Sequence, residues 1–312
     1  MKRLACEAAI ELGAAGVRVA PAHPDEAARE AMRAAFARGD FTTWRYDDEY
    51  ARKAAAPDHV LAGARSVVCI AMPYRTEQPA QAPFTGRVST YAWSADYHQR
   101  VKTILAQIAK RIDEAAGAPV TAIACDTKPL AERAFAARAG LGWVGKHTNV
   151  INPQAGSFVF LGEIVTTLPL SPDAPLRKSC GSCTRCISAC PTGALRGDYT
   201  IDATKCIADL TQRTDAIPRE LRAFVGTWVW GCDLCQIACP PNERTTVRAG
   251  EENRALAPQT STPSLVRLLQ IRSGEFKRIY AKTAMGWRGA AILRRNAAVA
   301  LGNSLDRAAI PA

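Results

Sequence analysis

The sequence predicts an α/β domain of mixed strands and helices, then a small cysteine-rich module, then a short α-helical segment. Three observations carry this prediction. Apolar runs of strand character alternate with helical periodicities through residues 1–170. Eight cysteines then fall between positions 180 and 239. From residue 261 onward the pattern is helical, with nine Lys or Arg against two acids, Glu275 and Asp306. The expected bounds are 1–170, 171–245 and 246–312.

The elements follow in order. "MKRLACEAAIELGAAG" starts basic, but Glu7 and Glu11 interrupt its apolar positions, so it reads as an amphipathic helix and not a secretory signal. A second helix is expected between Pro24 and Gly39. "SVVCIAMPY" is a short buried strand running into a loop. "DYHQRVKTILAQIAKRIDEAAG" is a long helix: Val101, Ile104, Leu105, Ile108 and Ile112 keep helical spacing, and Gly117 stops it. "PVTAIACD" is a second apolar strand, followed by a helix with Pro129 in its first turn. The β-branched and aromatic runs on either side of "NPQAG" predict a hairpin or paired strands. "LSPDAPLRK" reads as a Pro-rich linker into the cysteine module.

That module declares its chemistry by spacing. Cys180, Cys183, Cys186 and Cys190 follow C-x2-C-x2-C-x3-C and precede Pro191, the pattern of a bacterial two-cluster ferredoxin. Three thiolates of such a run hold one [4Fe–4S] cluster and the fourth ligates the other. The second run, Cys232, Cys235, Cys239 and Pro240, has Val229 where a further cysteine belongs, and Cys206 is the candidate replacement. The crossed rule gives Cys180, Cys183, Cys186 and Cys239 to one cluster, and Cys190, Cys206, Cys232 and Cys235 to the other. A zinc ribbon also uses paired C-x2-C motifs, but it leaves two regular runs ending in Cys-Pro unexplained. Of the remaining three, Cys6 and Cys69 read as small buried residues. Cys125 also sits in apolar surroundings.

Composition narrows the setting. No apolar run is long enough to span a bilayer, so no membrane is expected. Eleven cysteines without an export signal fit metal or redox chemistry in a reducing, cytoplasmic compartment. A net charge of +11 points to an anionic partner, nucleic acid first. Arg267, Arg272, Lys277, Arg278, Lys282, Arg288, Arg294 and Arg295 form either a solvated face or a set of phosphate contacts. No GxGxxG motif follows a strand, so a Rossmann dinucleotide site is unsupported. Asp96, Tyr97 and His98 fall at the start of the long helix, and Asp126 at the end of a strand. The plain reading of both aspartates is helix capping.

Several stretches together resemble the epoxyqueuosine reductases of tRNA queuosine modification. They are "RVSTYAWSADYHQRVK", "CDTKPLAERAFAARAGLGWVGKHTNVI", "GSFVFLGEI", the cysteine run 180–191, "CIADLTQ", "GCDLCQIACP" and "FKRIYAKTAMGWRGAAILRRNAAVALGN". The resemblance implies a cobalamin in the N-terminal domain beside two [4Fe–4S] clusters, fed by an unidentified electron donor. It implies reduction of an epoxide on a tRNA wobble base to a cyclopentene, with Asp126 as proton donor and burial raising its pKa. It also places Ser89, Asp126, Val150, Leu161 and Thr211 or Gln212 at the cobalamin, and Asp96 and His98 near the reacting centre. The basic tail would grip the anticodon stem while the base is extruded. Family members continue into HEAT-like repeats, whereas this sequence ends at "DRAAIPA", so at most one is expected. "FTTWRYDDEYARKAAAP", Lys128 and His147 also depart from the family pattern. Other readings are a reductive dehalogenase-like cobalamin enzyme, an iron–sulfur electron carrier without its own substrate, and a structural iron–sulfur RNA-binding module.

Overall fold

The computed structural model describes residues 1–44, 46–245 and 258–304. The polar stretch 246–257 and the end of the chain with Asp306 lie outside the described residues. Eight strands are described: β1 (Gly16–Pro21), β2 (Ser66–Pro73), β3 (Arg87–Val88), β4 (Thr121–Ala124), β5 (Trp143–Val144), β6 (Val150–Ile151), β7 (Val159–Thr166) and β8 (Trp228–Trp230). The main sheet runs β1-β2-β7-β4 with every pair antiparallel. β1 has no counterpart among the sequence expectations. It is an edge strand of six residues whose Gly and Pro ends mask it as a loop.

Burial on both faces makes β2 a near-continuous apolar run. Val68, Ile70 and Met72 point to one core, shared with α1 (Lys2–Glu11) and α4 (Tyr97–Ala116). Val67, Cys69 and Ala71 point to the opposite core, which holds Phe135 and Ala136 of α5 (Glu132–Arg138). This is the period-two alternation of a strand between two layers. Gly162 lets α4 lie close on β7: a Cβ there would stand 3.0 Å from both Val101 and Leu105. Asp96 caps α4, accepting from the His98 amide, and Gly117 ends the helix in the left-handed region. α2 (Glu26–Ala37) and α3 (Asp48–Ala55) lie beside each other, each capped by an aspartate, Asp25 and Asp47.

Two expectations change here. Pro129 is not in the first turn of α5, which starts at Glu132, so residues 126–131 form a loop. The turn at "NPQAG" is present, but the strands flanking it do not pair with each other: β6 pairs with β5 in a hairpin turning at 145–149. Asn152 to Gly156 then forms a tight bridge into β7.

The cysteine module carries α6 (Arg185–Ser188), α7 (Ile207–Gln212), α8 (Arg219–Val225), α9 (Leu234–Ile237) and α10 (Pro240–Arg244). Its β8 pairs in parallel with β3, Arg87 opposite Trp228 and Val88 opposite Trp230. The C-terminal part adds α11 (Pro258–Ser261), α12 (Leu265–Gln270), α13 (Ser273–Tyr280) and α14 (Ala290–Asn303). It is not helical throughout: residues 281–289 turn, ending at Gly289 with φ +85°. One apolar cluster joins Val88 and Trp93, Val229 and Trp230, and Leu268, Phe276 and Leu293. It therefore draws on all three expected segments.

Candidate active site and cluster centre

β4 ends at Ala124, and Asp126 follows with φ +55°, a left-handed conformation uncommon outside glycine. That turn aims its carboxylate at the first turn of α4. Asp126 Oδ2 accepts from the Tyr97 hydroxyl at 2.6 Å and lies 3.0 Å from His98 Nε2. His98 Nδ1 is 2.7 Å from Asp96 Oδ1, so the imidazole bridges two carboxylates. Tyr97 is fixed by stacking between His98, at 4.0 Å, and Phe160 of β7, at 4.3 Å between ring centroids. Asp126 is thus not a helix cap, whereas Asp96 is both a cap and a partner of His98.

The electrostatics reverse one expectation. Asp126 was expected to have a raised pKa, but it is held below the ordinary carboxylate value. The hydrogen bond from His98 is the largest cause; it and the Tyr97 bond outweigh desolvation. Burial works against charging His98, yet its bonds to Asp126 and Asp96 and their charges raise its pKa. Both shifts favour a protonated imidazole paired with the carboxylates. Below the ordinary His value its stabilisation is fully present, and it is lost as pH rises through the raised value. The Asp126 share is present above the ordinary Asp value and lost only as pH falls through the lowered one. Beside Asp126 a cavity of about 440 Å³ is lined by Phe36, Tyr46, Tyr50, Arg133 and Tyr199.

All eleven cysteines are free. The eight of the two runs gather in two sets of four. Burial, followed by the charges of Cys180, Cys186 and Cys183, pushes the Cys239 thiol up to about 12. Cys186 is raised by burial and then by Cys180 and Cys183. In the second set, Cys235 is raised by burial and then by Cys232, Cys206 and Cys190. Cys206 feels burial and Cys190, and Cys232 feels burial, Cys206 and Cys190. Each set brings four thiols, half-buried or buried, near one another, and an all-sulfur donor set suits iron–sulfur ligation. Cys69 and Cys125 are buried beside the sheet, and Cys6 is half-buried.

The β5–β6 turn closes over the first set. The Lys146 amide donates to Cys180 Sγ at 3.4 Å, and its ammonium reaches the carbonyls of Gly181 and Cys183. Beside it, His147 is buried, and desolvation lowers its pKa to about 4, so its ring is neutral.

The expected cobalamin contacts divide between two places. Ser89 and Thr211 are buried at the β3–β8 ribbon. Gly231, at φ +64°, approaches Ser89 so closely that a Cβ would stand 2.5 Å from it, and its amide donates to Thr211 Oγ1 at 2.9 Å. Gln212 is half-buried next to them, its side chain donating to the Ala208 carbonyl. Val150 and Leu161 belong to the apolar cluster of the α5 face. The Ser89 hydroxyl is committed to Asp233, a fully buried carboxylate that also accepts from the Thr90 amide and hydroxyl, both at 2.7 Å. Asp233 lies between Cys232 and Cys235, and only its place in a cysteine run could have drawn attention to it.

The basic tail is also divided. Arg267 pairs with Glu275, Arg294 donates to the Ile271 carbonyl, and Arg295 to the carbonyls of Leu210, Arg213 and Asp215. Arg288 lies 3.7 Å over the Trp287 ring, which stacks on Trp44. Arg272, Lys277, Arg278, Lys282 and Trp287 are exposed. No described helix is long and apolar enough to cross a membrane.

Known proteins place this arrangement. Residues 55–127 match the family described as epoxyqueuosine reductase QueG, DUF1730, and residues 179–242 match the 4Fe-4S double cluster binding domain. An epoxyqueuosine reductase from Gloeobacter violaceus is 42% identical over 254 residues, covering 79% of either chain. The structure of epoxyqueuosine reductase from Streptococcus thermophilus superposes with a TM-score of 0.90 at 31% identity, over 100% of this chain and 83% of that one. A structure of epoxyqueuosine reductase with an epoxyqueuosine-modified tRNA-Tyr stem loop gives 0.91 at 32% identity, over 99% of this chain and 83% of that one. With sequence and fold agreeing across nearly its whole length, the chain belongs to the epoxyqueuosine reductase family.

Proposed function

We propose that this chain reduces the epoxide of epoxyqueuosine in tRNA to the alkene of queuosine, with Asp126 as proton donor. The observation that carries the reading is the Asp96–His98–Asp126 constellation on the same chain as two sets of four thiols. The reaction consumes two electrons and two protons, and the epoxide oxygen leaves as water. Electrons would come one at a time from [4Fe–4S] clusters, one on Cys180, Cys183, Cys186 and Cys239, the other on Cys190, Cys206, Cys232 and Cys235. Ser89, Val150, Leu161, Thr211 and Gln212 would hold cobalamin. The Ser89 and Thr211 hydroxyls are already hydrogen-bonded within the protein, so backbone groups and apolar surface would supply the grip on a broad cofactor. When bound, it supplies a strongly reducing cobalt centre able to open a strained epoxide.

The protein's own part is the proton. His98 Nε2, whose pKa is raised by its carboxylate partners, stores it, and Asp126 Oδ2 receives it and passes it to the oxygen released by ring opening. Each oxygen protonation then draws on an acid already in hydrogen-bonding reach. The layout we read for this chemistry is an α/β domain at 1–170, a ferredoxin-like domain at 171–245 and a basic segment at 246–312, HEAT-like in its described helices. A cytoplasmic setting, with reduced thiols, fits all three.

The test is an anaerobic incubation of the cluster-loaded chain with cobalamin, a strong reductant and epoxyqueuosine tRNA, followed by nucleoside mass spectrometry. Loss of one oxygen from the modified nucleoside is expected. An unchanged nucleoside with cobalamin bound would reject the substrate. Failure to bind cobalamin would favour a simple electron carrier.

The exposed cations supply the grip on tRNA. Reversing Lys277 and Arg278 to Glu is expected to weaken tRNA binding, as read by filter binding across a salt series. The slope of log K against log salt should fall by about 1 for each lost phosphate contact. An unchanged slope would place the anticodon stem elsewhere.

A further inference from the structure

Glu163 sits in the middle of β7, with Cys69 of β2 and Ala124 of β4 as its neighbours across the sheet. It is fully buried, and neither carboxyl oxygen has a hydrogen-bond partner from any other kind of group among the described residues. What faces it is a second carboxyl, that of Glu132 in the first turn of α5. Glu132 in turn accepts the backbone N–H of Asp126 at 2.5 Å. The residues run in a line: Glu163, Glu132, then the peptide that carries the proton donor.

Two carboxylates cannot hydrogen-bond to each other, and a buried like-charged pair is expelled or neutralised. A carboxylic acid and a carboxylate can share one proton and bond well. Glu132 has the groups that favour a carboxylate, the Asp126 N–H and the Arg133 charge, and Glu163 has neither, which places the proton on Glu163. We propose that a protonated Glu163 donates to Glu132, and that this carboxyl pair is the positioning device that locks Asp126 into its left-handed turn. The inference rests on the reading of Asp126 as the proton donor and goes beyond it, by naming what holds the donor in place.

The surroundings agree. Burial, then the charge of Glu132, raises Glu163; burial, then Asp126, raises Glu132, while the bond from Glu163 works the other way. The other titratable groups facing the pair are Cys69 from β2, Cys125 and Asp126 from the loop after β4, Tyr50 from α3 and Arg133 from α5. Both thiols are raised by burial, so they remain neutral and offer no competing charge. Arg133 is the cation that acts on Glu132, and its side chain is exposed. A non-glycine residue at φ +55° is strained and persists only where its surroundings enforce it. The Asp126 N–H bond to Glu132 is such an enforcement.

Infrared spectroscopy of the cluster-loaded enzyme, without substrate, tests the shared proton. A buried protonated carboxyl band is expected at neutral pH, shifted in D2O and absent from Glu163→Gln. No such band in the wild type, or the same band in the variant, would overturn the proposal. Hydrogen exchange of the 121–131 peptide tests the lock. Protection should survive in Glu163→Gln, whose amide still donates to Glu132, and should fall at least tenfold in Glu132→Ala. Equal protection in all three proteins would also overturn it. Activity supplies the last readout: kcat should fall about 10–100-fold in Glu132→Ala with KM for tRNA unchanged, and stay within about threefold in Glu163→Gln. If Glu132→Ala does not fold, the infrared comparison decides alone. If the wild type reduces no epoxyqueuosine while the band and the protection behave as expected, the proposed reaction fails and the carboxyl pair stands.

Discussion

Replacing Asp126 by Asn is expected to slow epoxide reduction by about 10²–10⁴-fold, the usual contribution of a positioned general acid. The amide is close to isosteric and can still accept from the Tyr97 hydroxyl, so the loop and both cysteine sets should remain as they are. What disappears is an oxygen that can take a proton from His98 Nε2 and hand it on. Single-turnover kinetics with pre-reduced enzyme separates this from any loss of electron delivery. The expected result is an unchanged rate and extent of cofactor reduction with a collapsed rate of nucleoside conversion. A variant that converts substrate at the wild-type rate would move the proton donor to another group, with Tyr97 and His98 the adjacent alternatives. The pH profile is a further check. The store on His98 is loaded below its raised pKa, so activity should reach a plateau there and decline as pH rises through that value. His98→Gln should depress the plateau and remove that decline.

The second large effect concerns the crossed cysteines. Cys239→Ala should remove the cluster shared with Cys180, Cys183 and Cys186, although Cys232 and Cys235 are its neighbours in sequence. Iron per chain should fall by half. The double variant Cys180→Ala/Cys239→Ala should lose no more iron than either single change. Cys232→Ala/Cys239→Ala should lose nearly all of it. Iron analysis with electron paramagnetic resonance of the reduced proteins reads both outcomes. The reverse outcome, with Cys180→Ala/Cys239→Ala losing nearly all the iron and Cys232→Ala/Cys239→Ala only half, would assign the ligands by sequence proximity instead. Either cluster's loss should also destabilise the chain, because the binding free energy of a structural metal centre is folding free energy. The cost would come from leaving the thiols of the affected set without a bound centre.

How much of this could be read from the chain beforehand follows from the range of the forces involved. The cysteine runs were legible because cluster ligation fixes spacing locally, and Cys206 could be found by counting what was missing. α4 was legible from its periodicity and from Gly117, and β2 from its unbroken apolar run. Asp126 was marked by resemblance and by its place at a strand end. Its protonation was misjudged, since burial was visible as an apolar strand but the donors were not. They come from Tyr97 and His98, twenty-nine and twenty-eight residues away, and only the packing of α4 against β7 brings them there. Glu132 was visible only as a residue of a helical pattern, and Glu163 as a polar interruption in a strand. Asp233 was overlooked because its partners, Ser89 and Thr90, lie far off along the chain. The breaks at 126–131 and 281–289 were missed for a related reason: the composition there allows a helix, and tertiary contacts decide otherwise.

The parallel ribbon of β3 and β8 bears on how the molecule comes into being. Val88 and Trp230 belong to opposite thirds of the chain, yet they sit side by side at the centre of the cluster that includes Leu268 and Leu293. Until the ribosome has released most of the polypeptide, β3 has no partner strand, and the apolar surface around Trp93 is uncovered. Closing so long a loop carries an entropic cost that must be met before its contacts stabilise anything, so maturation should be slow and late. During synthesis, the nascent chain would display open thiols and an unpaired strand together. That makes the order of events, metal delivery before or after ribbon closure, a determinant of yield in the cell.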